Sequence, residues 1–217
     1  MDPEEVWRIR EEEVYPRLFS SPGSDIFTLH PEIFTKTLEQ TDYDFRWLFY
    51  GVIEFPPAAG RKHWIYVTSG HSNPWEQEPD EYDPQSESGA GVELVLQTSE
   101  RGDWAIRCLH YLQAYHLLLS AGRYPGRPPL RVGTRVNMRS PINGAADCLI
   151  RNTVVVGAEG VSPGFALPSG SVEFLAFTGA TDAEIAFAKE HTSAELVERL
   201  RAAGYHPVTN PRRQSLF

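Results

Sequence analysis

Between His63 and Thr68 the chain alternates His63, Ile65 and Val67 with Trp64 and Tyr66, the two-residue period of a strand that presents different faces. The period returns at Gly91–Thr98, where Val92, Leu94 and Leu96 fall on one side and Glu93, Val95 and Gln97 on the other. Arg46–Phe55 is dense in β-formers, among them Trp47, Phe49, Tyr50, Val52 and Ile53, and predicts a strand that Pro56-Pro57-Ala58-Ala59-Gly60 breaks. The strands on either side of this break read as a hairpin or meander. At Ala105–Ala121 the period changes: Ile106, Leu109, Leu112, His116 and Leu119 recur at helical spacing, and Gly122 ends the run. Further strands are expected at Leu130–Val136, Cys148–Val156 and Val172–Thr178, with a loop over 165–170. The chain opens on a helix, with Asp2 as cap, Pro3 at its first position and an irregular apolar side of Val6, Ile9, Val14 and Leu18. It closes on two short helices, because Thr181 with Glu184 and Thr192 with Glu195 both fit the capping-box spacing.

Strands before and after one long helix predict an α+β domain with a mixed, largely antiparallel sheet and packed helices. The length of 217 residues suits a single domain, 1–217, with 1–45 as a helical N-terminal extension packed on it. The 17 glycines and 17 prolines fit frequent breaks between strands. No stretch reaches the roughly 18 apolar residues of a membrane span. The acidic Met1-Asp2-Pro3-Glu4-Glu5 start is unlike a signal peptide. Two cysteines, Cys108 and Cys148, are too few to staple a secreted scaffold and read as buried, reduced thiols. The expectation is a cytoplasmic protein with no membrane partner. A formal charge of −9 argues against nucleic acid as a partner.

Catalytic patterns fail on their own chemistry. Gly160-Val161-Ser162-Pro163-Gly164 matches G-x-S-x-G, but the residue after the serine must donate a backbone N–H to an oxyanion hole, and Pro163 has none. His110 and His116 lie about 240° apart around a helix, and no H-x-H or H-E-x-x-H spacing occurs. Gly89-Ala90-Gly91 opens a strand and lacks the third glycine of a dinucleotide fingerprint, so it reads as a tight turn or bulge. No catalytic residue, metal ligand or cofactor is assigned.

Two neighbouring features remain. Thr68-Ser69-Gly70-His71-Ser72-Asn73-Pro74-Trp75 leaves a strand through small polar residues and ends on a tryptophan expected to be exposed. Ser72 and Asn73 shape the turn and Trp75 is the candidate anchor for a protein partner. The loop beyond it carries Glu76, Glu78, Asp80, Glu81, Asp83 and Glu87 with no Lys or Arg, a surface suited to a basic partner. Arg212 and Arg213 stand out near the C-terminus and could pair with carboxylates, those of the acidic loop among them.

Four stretches in order resemble the Suppressor of fused family. They are His63–Ser72 (W-x-Y-V-[ST]-x-G-x-S), Ser88–Leu94 (S-G-x-G-x-E-L), Gly170–Leu175 followed by Gly179 and Glu184, and the ending Val208–Phe217 around Arg212-Arg213. The resemblance implies a mixed α/β fold and a non-enzymatic, partner-binding role, since animal members sequester a transcription factor. From its length the resemblance leads one to expect a single-domain, bacterial-type member without the second domain of the animal proteins, for which it implies an immunity protein against a toxin. Asn210-Pro211 replaces the usual aspartate and apolar residue. The partner-binding set is Ser72, Asn73, Trp75, Glu76, Glu78, Asp80, Glu81, Arg212 and Arg213, with strand addition along Gly91–Thr98 as a second mode if that strand is an edge. The alternative is an enzyme or small-ligand protein with a pocket near Ser69, His71 and Trp64.

Overall fold

The computed structural model describes residues 3–217; the expected cap Asp2 lies outside them. The chain begins with α1 (Pro3–Arg8), a π-helical turn over Ile9–Val14 and α2 (Tyr15–Phe19). The wider turn explains the irregular apolar spacing: it brings Val6, Val14, Tyr15 and Phe19 to one buried side. Then come β1 (Phe27–Thr28), β2 (Gly51–Phe55), β3 (Trp64–Ser69) and β4 (Glu87–Thr98). The long helix α3 (Asp103–Ser120) precedes β5 (Arg135–Asn137), β6 (Ile150–Gly157), β7 (Gly164–Leu167) and β8 (Gly170–Thr181). Helices α4 (Asp182–Glu190) and α5 (Ser193–Ala202) and the short β9 (Val208–Thr209) complete the chain.

All nine strands join one sheet with the path β1-β2-β3-β4-β8-β6-β5, β7 pairing β8 and β9 pairing β4. Pairing is antiparallel except for β4 with β8 and β4 with β9. The mixed, largely antiparallel α+β arrangement is therefore as expected. The two-residue period divides the core between the faces of the sheet. Ile53, Phe55, Ile65, Val67 and Val95 turn toward the N-terminal helices, α4 and α5, while Val52, Tyr66, Leu94 and Leu96 turn toward α3. Helices thus cover both faces. The capping box at Thr181 forms, with Thr181 Oγ1 accepting from the Glu184 N–H and Glu184 Oε2 from the Thr181 N–H. At Thr192 only half forms: Thr192 Oγ1 accepts from the Glu195 N–H, but the Glu195 carboxylate accepts from the Thr192 hydroxyl instead of its backbone N–H. Cys108 and Cys148 are both buried and free.

Several expectations need correction. Phe45–Phe49 is a 3-10 turn, not strand; the Asp44 side chain accepts from the Arg46 N–H and starts the turn before β2. The expected strand at Leu130–Val136 shrinks to β5, since residues before it make turns. The expected loop over 165–170 contains β7, which pairs Leu167 with Gly170 in a hairpin onto β8. Finally, β4 lies between β3 and β8, so its backbone is occupied on both sides and strand addition along Gly91–Thr98 has no free edge.

Candidate functional site

The polar turn after β3 is built on a buried charge. Glu93 sits on β4 with 0% exposure. Its Oε1 accepts from the backbone N–H of Gly70 and of Ser72, each at 3.0 Å, and from the Ser72 hydroxyl at 2.7 Å. Its Oε2 accepts from the Thr68 hydroxyl at 2.5 Å. A carboxylate removed from water survives only when its lone pairs are satisfied and a cation stands near. The cation is Arg10 from the π-helical turn, 1% exposed and 3.8 Å from Glu93. Its Nη1 donates to Ser72 Oγ and Asn73 Oδ1, and its Nη2 to Ser69 Oγ and Glu11. Burial works against the Arg10 cation, but the charges around it, Glu93 first, outweigh that and hold its pKa above the ordinary value. Ser72 and Asn73 thus shape the turn from inside, buried against Arg10, with Asn73 also reaching the cavity described next. No feature of the N-terminal sequence marked Arg10, since Ser69, Ser72, Asn73 and its counter-ion Glu93 all lie far along the chain.

Glycines let the neighbouring strand reach this turn. Gly89 has φ +56°, and a Cβ there would come within 2.4 Å of the Asn73 carbonyl oxygen. Its approach coincides with the register shift between Glu87 and Val92 of β4, the expected bulge. Gly70, at φ +145°, lies against the Tyr50 ring, which a Cβ would meet at 2.2 Å.

Outside the turn lies a cavity of about 230 Å³ lined by Arg46, Trp47, Tyr50, His71, Asn73 and Trp75, among others. Trp75 is half-buried rather than exposed. Its Nε1 donates to Tyr50 Oη at 3.0 Å, its ring meets Trp7 edge-on at 5.0 Å, and the Arg46 guanidinium lies 5.8 Å from its centre. His71 is buried at the inner wall, edge-on to His116 with ring centroids 5.0 Å apart. Burial pushes both imidazoles down, each to about 3, with the Arg10 charge adding to the shift at His71. Both are neutral at pH 7, and neither His71 ring nitrogen meets a carboxylate or hydroxyl in the fold. The pocket gathers His71 but neither Ser69, whose hydroxyl is bonded to Arg10 and Glu11, nor Trp64, which lies under Arg101. Among the described residues no three His, Cys, Asp or Glu side chains are placed to hold a metal ion.

The rim is the part that sequence periodicity missed. The 3-10 turn that sends Arg46 and Trp47 to the cavity leaves Phe45 and Phe49 in solvent, 75% and 65% exposed. Arg46 reaches Glu76 at 2.8 Å and joins this aromatic turn to the acidic loop. Glu76, Glu78, Asp80 and Glu81 are all exposed. The loop is ordered locally, with a 3-10 turn at Pro79–Glu81 in which the Glu81 carboxylate accepts from the Glu78 N–H. Gln77 pins it to the sheet by donating to the Ser169 carbonyl and accepting from the Gly89 N–H.

Arg212 and Arg213 lie elsewhere and divide. Arg212 is exposed and pairs with Glu100 at 3.0 Å. Arg213 is buried on Glu184, with both Nη atoms at 2.6 Å from its oxygens, and also donates to the Gly179 carbonyl. Neither contacts the acidic loop. The G-x-S-x-G serine, Ser162, bonds the Gly164 carbonyl at the start of β7 and forms a turn.

Residues 48–214 match the sequence model of the Suppressor of fused protein family. No curated protein matches at a significant level. Among solved structures the chain is similar to the Sufu–Fu complex, at 20% identity and a TM-score of 0.59 over 77% of each chain. It is similar to Drosophila Suppressor of Fused at 21% identity and TM-score 0.57, covering 76% of this chain and 42% of that one. A Suppressor of fused homologue from Neisseria gonorrhoeae matches at 17% identity and TM-score 0.55 over 98% of this chain and 95% of the other. At these identities the likeness is one of fold.

Proposed function

The chain belongs to the Suppressor of fused family, and on that premise we propose that it is a non-enzymatic protein-interaction domain that occludes a partner through the aromatic and acidic surface beside Trp75. The observation that carries the reading is the pair Phe45 and Phe49, large apolar side chains held in solvent on a turn that also lines the Trp75 cavity. Exposed aromatics on a turn that borders a cavity, with polar residues around them, have the composition of an interaction hot spot. The neighbouring carboxylates of Glu76, Glu78, Asp80 and Glu81 speed encounter with a basic partner and contribute less to its hold. A basic toxin, with this chain as its immunity protein, is a partner of that chemistry; a basic regulator is another.

The buried turn fits this division of labour. Ser72 and Asn73 fix the backbone from which Trp75 and the loop emerge, so the surface is preorganised. The small-ligand alternative is weaker, because His71 has no acid or hydroxyl partner to form a catalytic pair. Affinity capture with the intact chain from cells that express it tests the proposal. A protein partner is expected with wild type and is lost with Phe45→Ser/Phe49→Ser, whose side chains support no core. Capture of the same proteins by both would overturn this surface.

A further inference from the structure

Charge is segregated along this chain in a way that the total of −9 conceals. Between Trp104 and Ala146 stand six arginines, and all 29 acidic residues lie outside that stretch. Five of the six, Arg123, Arg127, Arg131, Arg135 and Arg139, recur at every fourth position through turns and the short β5. In a helix this spacing would make a stripe; here the fold gathers three of them around one cavity. Arg127, Arg135 and Arg139 line a space of about 330 Å³ together with Tyr111 and Tyr115 of α3 and Tyr124 of the turn beyond it.

The arginines are occupied only by neutral oxygens. Arg127 donates to Tyr115 Oη at 3.3 Å, Arg135 to the Ala188 carbonyl at 2.6 Å and Arg139 to the Thr37 carbonyl at 3.3 Å. None of the three has a carboxylate partner among the described residues, whereas Arg8, Arg46, Arg101, Arg123, Arg201, Arg212 and Arg213 all do. A guanidinium carries five N–H donors, so most of the donor capacity here is unspent on protein. The tyrosines form a continuous wall, with the Tyr111 and Tyr115 rings near-parallel at 6.1 Å and Tyr124 leaning on Tyr115 at 5.4 Å. Burial raises the Tyr111 and Tyr124 pKa values, which keeps their phenols protonated and able to donate. The acids nearby are Glu39, exposed beside Tyr124, and Asp42, paired with Arg123.

We propose that this cavity is a binding site for an acidic peptide segment of a partner protein, distinct from the Phe45–Phe49 surface. The planar forks of the arginines match carboxylates two bonds at a time, which ammonium groups do not. Tyrosine covers peptide with a large, stiff, amphipathic ring at small entropic cost. A short acidic segment meets only the local positive charge. A long polyanion such as RNA would run off the three arginines onto a surface that carries the chain's acids, and be repelled there.

The test is a titration of the full chain into a fluorescein-labelled hexaglutamate peptide, followed by anisotropy at about 50 mM salt. Saturable binding is expected, weakened at least tenfold by Arg135→Gln/Arg139→Gln and at least tenfold at about 300 mM salt. Arg8→Gln/Arg212→Gln, which removes the same charge elsewhere, should leave binding within about twofold, as should Phe45→Ser/Phe49→Ser. The second result separates this site from the proposed partner surface, since either can fail alone. Absence of saturable binding, equal loss in the control pair, or tighter binding of a six-nucleotide RNA would overturn the proposal. So would a wild-type dimer that becomes monomeric in Arg135→Gln/Arg139→Gln, which would give the cavity to a second copy of the chain.

Discussion

Glu93 and Arg10 meet in the core although 82 intervening residues separate them in sequence, and each is costly to bury alone. Glu93→Gln leaves the Arg10 charge without its main counterion and is expected to lower stability by about 3–5 kcal/mol in urea unfolding. Arg10→Met/Glu93→Gln should cost less than the sum of the two single changes, because the second substitution removes the charge that the first leaves stranded. A loss below 1 kcal/mol for Glu93→Gln would mean that the carboxylate is not the anchor of the turn. His71 and His116 give the fold a pH dependence whose direction is fixed by their environment. The unfolded imidazoles take up protons near 6.5, while burial holds both at about 3 in the fold. Between those values the unfolded chain binds protons that the folded one refuses, so stability falls as pH falls, by at most about 1.4 kcal/mol per unit for each histidine. His71→Phe keeps an aromatic ring against Tyr50 and His116 and removes one titration. Its urea midpoint should therefore drop less between pH 7 and pH 5 than that of wild type, and an equal drop would contradict the assignment. The sequence marked Ser72, Asn73 and Trp75 as a special corner, since small polar residues leaving a strand announce a turn. It could not mark Arg10, because a buried arginine inside an acidic helix looks like surface until the fold supplies its partners.

Elements were legible where a local rule and the tertiary environment agree. The alternation in β3 and β4 gave the correct inward faces because each strand is buried on both sides by different layers, and the threonine caps gave the starts of α4 and α5. The rule failed at Phe45–Phe49, where aromatic residues scored as strand although the Asp44 cap turns the backbone into a 3-10 coil. That failure concealed the exposed aromatic pair. Parallel pairing of β4 with β8 was also hidden, since β6 and β7 both reach β8 on its other side and nothing in the spacing orders them. At the C-terminus the two arginines look equivalent in sequence but differ in what they support. Arg213 holds α4 to the last residues through Glu184, stacks over Tyr205 at 4.7 Å and is buried, while Arg212 is a surface ion pair. Arg213→Ala should destabilise by about 3–5 kcal/mol and Arg212→Ala by less than about 1, measured by chemical unfolding. Equal effects would remove the distinction.

Across the whole fold, the two proposed surfaces share α3 as a support but adjoin different neighbours of it. The helix supports the Trp75 cavity through Leu117 and supplies Tyr111 and Tyr115 to the arginine cavity. The acidic loop and the basic stretch therefore hang on one sheet-and-helix framework and carry opposite charge. No helix among the described residues is long and apolar enough to cross a membrane. The sequence holds both the acidic loop and the basic stretch, but the net charge of −9 hides the second, because an average over the chain removes the sign of each part. The proposed function has Phe45 and Phe49 anchor a protein partner while the loop carboxylates steer it. Its most direct measurement is the dissociation constant of the captured partner for wild type, Phe45→Ser/Phe49→Ser and a loop variant with Glu76, Glu78, Asp80 and Glu81 changed to Gln or Asn. The aromatic pair should raise Kd by about a hundredfold through faster dissociation, and the loop variant by about tenfold through slower, salt-insensitive association. An unchanged Kd for Phe45→Ser/Phe49→Ser would mean that the aromatic pair does not anchor the partner.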